Sequence, residues 1–247
     1  MLQNDSKPTT PRRGFLGTLA TGASALGLTA LTSPFTANAQ QKMPAKPMAP
    51  KAPKSEADVW FDKVKGSHRA VYDATRTNEL MPFVWPKVFL MTNAATGTPE
   101  HDCGVVVVLR HEGIPFAFKD EIWEKYKLAE LCEVKDLGPA FAAPDAKTAT
   151  KTRNPLWNTK PGDFKVPGIG DVTLGIKDLQ ASGVMFCVCN AAMTVFSAIA
   201  ADQMKLKHED VMNEWKAGLI PGVQIVPSGV WAVGRAQEHG CKYAFAG

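Results

Sequence analysis

Residues 103–110, CGVVVVLR, constrain the fold more than any other part of the sequence. The run from Val105 to Val108 is apolar and β-branched at every position, with no polar residue at alternate positions. A strand with one face in water alternates apolar and polar residues, whereas a strand covered on both faces does not, as in parallel sheets between helices. The run therefore predicts a buried strand of a mainly parallel sheet.

Four further apolar runs predict strands, and helical patterns lie between them. The predicted strands are residues 68–74, 103–110, 183–189, 222–229 and 241–247, and the predicted helices are 79–95, 116–130, 190–204, 208–217 and 228–239. Alternation of strands and helices is typical of an α/β fold. We therefore predict a three-layer α/β domain over residues 55–247, with a mainly parallel sheet of about five strands and helices on both faces.

Residues 1–39 resemble an export signal. Arg12 and Arg13 precede a Gly/Ala-rich apolar stretch that ends in the small-residue pattern Ala37-Asn38-Ala39, which predicts cleavage after Ala39. The arginine pair resembles a twin-arginine (Tat) signal, although Pro11 and Gly17 stand where such signals usually have Ser/Thr and Lys. The alternative is a membrane-anchoring N-terminus, but the apolar run breaks before it could span a bilayer as one helix.

The next segment, residues 40–54, is rich in Pro, Ala and Lys and predicts an extended, disordered linker. Of the 28 basic and 24 acidic residues in the chain, seven basic and one acidic precede residue 55, which leaves 21 and 23 in the domain. A near-neutral domain gives no reason to expect a nucleic-acid partner. We expect a periplasmic protein of a Gram-negative bacterium, exported by the Tat translocase and without stable membrane insertion.

Residues 133–172 do not fit the strand–helix alternation. The segment has scattered Pro, Gly, Lys and Thr and little periodicity. A connection of this length in a compact domain is usually functional or an assembly surface. A tolerated surface insertion explains the segment equally well.

The third predicted strand ends in a Cys-x-Cys pair. Because residues two apart in a strand share a face, Cys187 and Cys189 are expected to lie on one surface. Asn190 is a good N-cap for the helix that follows, which places Cys189 where a parallel strand meets a helix. Ligands of open α/β folds bind at that edge of the sheet, and the positive end of a helix favours a thiolate. A buried cysteine that only fills space is the alternative.

Other residues at the same edge are candidates for the site. His111 and Arg110 follow the second predicted strand, so His111 could take the proton of Cys189 and Arg110 could pair with an anionic substrate. Ser228 and Gly229 begin the last predicted helix, where backbone N–H groups suit an anion, although helix capping alone explains the serine. Asp73 ends the first predicted strand, and a turn-forming role is the simpler interpretation.

Several segments together resemble the DsrE/DsrF-like family of small α/β sulfur-relay proteins. They are HRAVYDA, VVVVLRHEGIPFAF, GVMFCVCNAAM, IVPSGVWAVGRAQEHG and CKYAFAG, in this order over most of residues 66–247. In members of that family that carry sulfur, a cysteine at the end of the third of these segments accepts it as a persulfide. The resemblance implies that role for Cys189, with Cys187 and Asn190 beside it, and a homo-oligomeric assembly. The long insertion, the extra Cys187 and the export signal depart from the family pattern.

The remaining cysteines, Cys103, Cys132 and Cys241, make an odd total of five. One structural disulfide is compatible with an oxidising compartment, but the pairing cannot be assigned from sequence. Cys187, Cys189 and His111 could also offer ligands to zinc or copper. Zinc sites, however, usually contain Cys-x-x-Cys pairs, which are absent here, so we predict no metal site and no cofactor beyond a persulfide.

Two classes of function therefore compete. The first is a periplasmic sulfurtransferase or sulfur carrier that works through a persulfide or a transient disulfide on Cys189, with a small sulfur species or a thiol protein as partner. The second is a non-enzymatic module of the same fold that binds a ligand or metal or acts as an oligomeric scaffold. Nothing in the sequence names a substrate.

Overall fold

The computed structural model describes residues 53–135 and 137–247. The helices are α1 (Glu56–Phe61), α2 (Met81–Ala95), α3 (Asp120–Lys125), α4 (Leu128–Leu131), α5 (Ala149–Thr152), α6 (Ile176–Ala181), α7 (Asn190–Met204), α8 (His208–Ala217) and α9 (Gly229–Glu238). The strands are β1 (His68–Ala74), β2 (Cys103–Leu109), β3 (Lys165–Val166), β4 (Gly170–Asp171), β5 (Val184–Cys189), β6 (Gln224–Val226) and β7 (Lys242–Phe245). Short 3₁₀ helices span Glu100–Asp102 and His111–Ala117. The predicted export signal, and the predicted linker except its last two residues, lie outside the described residues.

Five strands form one parallel sheet in the order β6-β5-β2-β1-β7. The central strand β2 pairs over its whole length with β1, from His68 opposite Cys103 to Ala74 opposite Leu109. It is buried at all seven positions, as its uninterrupted apolar sequence predicts. β3 and β4 form a separate antiparallel hairpin.

The main sheet separates two hydrophobic cores. Val105 and Val107 of β2 belong to the core that contains residues of α2, α7 and α8. The alternate residues Val106 and Val108 belong to the core that contains residues of α1 and α9. The predicted three-layer α/β fold with a parallel sheet of five strands is therefore confirmed. Among the described residues, no helix combines the length and the apolar composition that crossing a bilayer requires.

The predicted helix over residues 116–130 is wrong as a single element. Three short helices cover this stretch and the residues just before it: the 3₁₀ helix His111–Ala117, α3 and α4. Phe118 is extended and forms an antiparallel bridge with Leu219, so the chain cannot be helical there. Lys127 has a left-handed φ of 48°, which separates α3 from α4. The apolar spacing that suggested one helix arises because both short helices pack on the same core.

Residues 133–172 contribute to the core instead of lying on its surface. Buried apolar side chains from this segment belong to the same core as α2 and α7, and they include Leu137, Phe141, Leu156, Trp157 and Phe164. The segment is therefore part of the domain, and its sparse periodicity reflects short elements joined by turns.

Asn154 ties this segment to the rest of the domain. Its side-chain Nδ2 donates to the carbonyl oxygens of Phe116 and Phe118, at 3.0 and 2.8 Å, and its Oδ1 accepts from the backbone N–H of Leu156 at 3.0 Å. The side chain is fully buried. Its removal would leave three backbone groups without these hydrogen bonds in a place that water reaches poorly.

We expect Asn154→Leu to lower the free energy of unfolding by about 2–4 kcal/mol, because buried backbone groups lose their partners. Urea unfolding measures the change. Asn213→Ala, at an exposed position of α8, is the control and should change stability by less than about 0.5 kcal/mol. Equal effects of the two substitutions would show that residues 133–172 are not held to the domain through Asn154.

Candidate functional site

The carboxyl ends of the parallel strands meet at one edge of the sheet. β2 and β5 are paired as far as Leu109, which lies opposite Val188. The next residues are Arg110, which directly follows β2, and Cys189, the last residue of β5. Cys189 in turn lies opposite Val226 of β6, one residue before the loop into α9. The fold therefore brings Arg110, Cys189 and the start of α9 to the same edge.

Cys189 is the last residue of β5 and the N-cap of α7. Its Sγ accepts a hydrogen bond from the backbone N–H of Ala192 at 3.3 Å, and the residue is 6% exposed. The predicted N-cap, Asn190, is instead the first residue of the helix. The strand continues for its full length to Cys189, so the thiol and not the amide occupies the capping position. Sulfur at such a position lies at the positive end of a 15-residue helix.

β5 and β6 are neighbouring strands whose connections leave on opposite faces of the sheet. The chain leaves β5 into α7, which contributes to one core, and leaves β6 into α9, which contributes to the other. Open α/β sheets bind ligands outside the carboxyl ends of their strands. A groove of about 850 Å³ runs along the outer edge of β6 and reaches Asn190, next to Cys189.

The loop after β6 closes onto the start of α7. The backbone N–H of Ala191 donates to the carbonyl oxygen of Pro227 at 3.2 Å, and Ser228 caps α9 by accepting from the N–H of Trp231 at 3.3 Å. Ser228 thus has the capping role that its sequence position allows. The N-termini of both α7 and α9 lie at the carboxyl edge of the sheet.

Arg110 is held in one orientation by a buried carboxylate. Its Nε and Nη2 donate to Oδ1 and Oδ2 of Asp73, at 2.6 and 2.8 Å, and Tyr243 donates its hydroxyl to Oδ2 at 3.0 Å. The side chain of Asp73 is 3% exposed and that of Arg110 is 26% exposed. Asp73 therefore orients the guanidinium instead of only forming a turn, which corrects the simpler interpretation of the sequence.

The same arginine packs against α9 and lies within electrostatic range of Cys189. The pKa of Arg110 is raised above its ordinary value, mainly by its hydrogen bonds to Asp73 and less by the charges of Tyr243 and Cys189. A Cβ added at Gly229 would lie 2.5 Å from Cβ and Cδ of Arg110. Gly229 is therefore the residue that lets the arginine stem pass close to the start of α9.

Cys187 does not share a surface with Cys189. It is fully buried in the core with α1 and α9, whereas Cys189 belongs to the core on the opposite face. The expectation of two thiols on one face is wrong because the chain turns into α7 at Cys189, where the two-residue period of the strand ends. Burial also raises the pKa of the Cys187 thiol well above its usual range.

All five cysteines are unbonded and buried. Burial raises the pKa of the thiols of Cys103 and Cys132, and it raises that of Cys241 to about 11. Together with Cys187, these residues carry little thiolate at neutral pH and react slowly. The structural disulfide that the sequence left open is therefore not formed, and the cysteines are buried without bonding.

His111 lies at the predicted edge, and among the described residues it makes no hydrogen bond with Cys189. It adopts a left-handed φ of 51°, its Nδ1 is 3.6 Å from Oε1 of Glu112, and its ring packs edge-on against Phe196 of α7. The imidazole is 57% exposed. The contacts of His111 are therefore with Glu112 and Phe196, whereas Arg110 is held at the edge by Asp73.

Tyr243 is the site residue that the sequence did not indicate. It reaches Asp73 because β7 lies beside β1 in the sheet, and no local pattern in the sequence specifies that neighbour. In the described part of the chain, no group of three or more His, Cys, Asp or Glu side chains is arranged to hold a metal ion. The absence of a metal site stays a prediction, which elemental analysis for zinc and copper would test.

Comparisons with known proteins give a distant structural similarity. No family model matches the sequence, and no curated protein matches it. Among solved structures, the chain is similar to the protein of unknown function MTH1491 from Methanobacterium thermoautotrophicum, at 14% identity and a TM-score of 0.35. The match covers 72% of this chain and 99% of that chain. A similarity at this level carries no functional argument.

Proposed function

We propose that this protein handles sulfur through Cys189, which would carry a persulfide or form a transient mixed disulfide. The observation that supports this most is the position of the Cys189 sulfur. It lies at the carboxyl edge of a parallel sheet, at the start of α7, and accepts a backbone N–H. A negatively charged sulfur is stabilised by such a donor and by the positive end of the helix.

The other four cysteines support the same assignment by contrast. Each has a thiol pKa raised mainly by burial. A thiol that loses its proton less readily is a poorer nucleophile. These four are therefore less suited to take up sulfur, whereas the Cys189 sulfur accepts a backbone N–H.

The sequence suggests where this chemistry takes place. The similarity of residues 1–39 to a Tat signal supports a periplasmic location and export of the folded chain. The resemblance to DsrE/DsrF-like proteins supports a sulfurtransferase or sulfur carrier that assembles as a homo-oligomer, with a small sulfur species or a thiol protein as partner. His111 has no assigned step in this proposal, because its contacts are with Glu112 and Phe196.

A binding module without chemistry is the second candidate, and the low exposure of Cys189 favours it. A thiol that is 6% exposed and caps a helix could be purely structural. The groove along β6 would then hold the ligand, and Cys189 would only fix the start of α7. The two candidates differ in whether the thiol reacts.

Native alkylation distinguishes them. With iodoacetamide at neutral pH and peptide mapping, we expect Cys189 to be modified at least about tenfold faster than Cys187 or Cys132, because burial leaves those two with little thiolate. Alkylation in denaturant is the control and should equalise the rates. If Cys189 stays unmodified while another cysteine reacts, the binding module becomes the better account.

A further inference from the structure

Arg110 is the charged group that the fold places beside Cys189. We propose that Arg110 selects the sulfur donor, and that the donor is a small sulfur oxyanion with a terminal sulfane sulfur, for which thiosulfate is the simplest example. This inference rests on the proposed function and adds to it the substrate class and the residue that recognises the substrate.

The first argument is the orientation of the guanidinium. Asp73 binds Nε and Nη2 side by side, and Gly229 allows the stem to pass against α9. The third nitrogen, Nη1, makes no hydrogen bond with the residues that the structure describes. A guanidinium fixed on one side by a buried carboxylate presents its free N–H groups in a defined direction, which suits the oxygen atoms of an oxyanion.

The second argument is the size of the donor. Cys189 is 6% exposed, so a thiol on the surface of a partner protein cannot reach its sulfur without rearrangement. Asn190, the residue after Cys189, lines the groove along β6, and the proposal assigns this groove as the route of a small donor. Its charge is also favourable there, because α7 and α9 both begin at this edge of the sheet.

The transfer step balances without an oxidant. The Cys189 thiolate attacks the sulfane sulfur of thiosulfate, a new S–S bond forms, and the S–S bond within thiosulfate breaks. Its electron pair leaves with sulfite, and the cysteine becomes a persulfide anion. Arg110 would bind the sulfonate oxygens during attack and stabilise the negative charge that grows on the leaving sulfite.

The test uses the reduced full chain and measures two rates. Thiosulfate loading is followed as a gain of one sulfur atom in intact mass, and iodoacetamide alkylation of Cys189 reports the reactivity of the thiol itself. We expect Arg110→Met to slow thiosulfate loading about tenfold to a hundredfold, the loss typical of a hydrogen bond to a charged group. Alkylation should change little, and Arg110→Lys should restore part of the loading.

The control removes another arginine that is held by ion pairs. Arg235 of α9 pairs with Asp58 and Glu238, so Arg235→Met should load at the wild-type rate. Equal loading of wild type and Arg110→Met would overturn the inference, as would a parallel loss of alkylation, which indicates a structural role. Loading from inorganic polysulfide but not from thiosulfate would overturn the substrate class and leave the proposed function standing. No loading from either donor would remove the proposed function itself.

Discussion

Asp73→Ala is expected to destabilise the folded protein by about 2–4 kcal/mol, because it leaves the Arg110 guanidinium partly buried without its carboxylate. The side chains of Asp73 and Arg110 are 3% and 26% exposed, so water cannot fully replace the lost partner. Tyr243 also loses the acceptor of its hydroxyl. Urea unfolding measures the change in the free energy of unfolding.

The chain contains a matched control for this substitution. Arg153 binds Asp145 with the same two nitrogens, at 2.8 and 2.7 Å, but the carboxylate is 42% exposed. The Arg153 side chain is itself only 22% exposed, but the charges of Asp163 and Asp120 also act on it. Asp145→Ala should therefore destabilise the protein less than Asp73→Ala. If the two substitutions destabilise the protein equally, Asp73 does not hold Arg110 in the way that the structure indicates.

The fold could be predicted because its central strand has an unusual sequence. Val105 to Val108 leave no polar face, and this is compatible with a sheet that is covered on both sides. The helices α7 and α8 were predicted with their observed bounds because each has a clear start and a period of 3.6 residues. β6 was predicted too long, since Pro227 and Ser228 follow it but belong to the turn into α9.

Other features depend on contacts distant in sequence. Residues 133–172 looked like an insertion because their buried residues, such as Phe141 and Phe164, are separated by turns and show no period. Their burial depends on the helices they pack against. Sequence analysis also missed α1, a six-residue helix too short to show a period.

The candidate site was predicted in part. The strand-to-helix transition at Cys189 could be inferred because the apolar strand and the helical pattern meet there. The role of Asp73 could not, since its partners Arg110 and Tyr243 lie on the flanking strands β2 and β7. His111 was predicted to assist Cys189 because an imidazole can accept a proton. Its position depends instead on the left-handed backbone at His111 itself, which the sequence does not indicate.

Cys189→Ala is expected to abolish uptake of sulfane sulfur, because Cys189 is the thiol at the start of α7, at the carboxyl edge of the sheet, and burial raises the thiol pKa of the other four. Cys187→Ala is the closest control. Cys187 lies two residues earlier on the same strand and is fully buried on the opposite face. Its removal should leave uptake intact, provided that circular dichroism shows both variants to be folded.

The most direct test of a sulfur-carrying Cys189 is the intact mass of the reduced protein after brief exposure to inorganic polysulfide and removal of the reagent. We predict a gain of one sulfur atom in the wild type and in Cys187→Ala, lost on treatment with dithiothreitol, and no gain in Cys189→Ala. The same gain in Cys189→Ala, or no gain in the wild type, would contradict the assignment of sulfur chemistry to this residue.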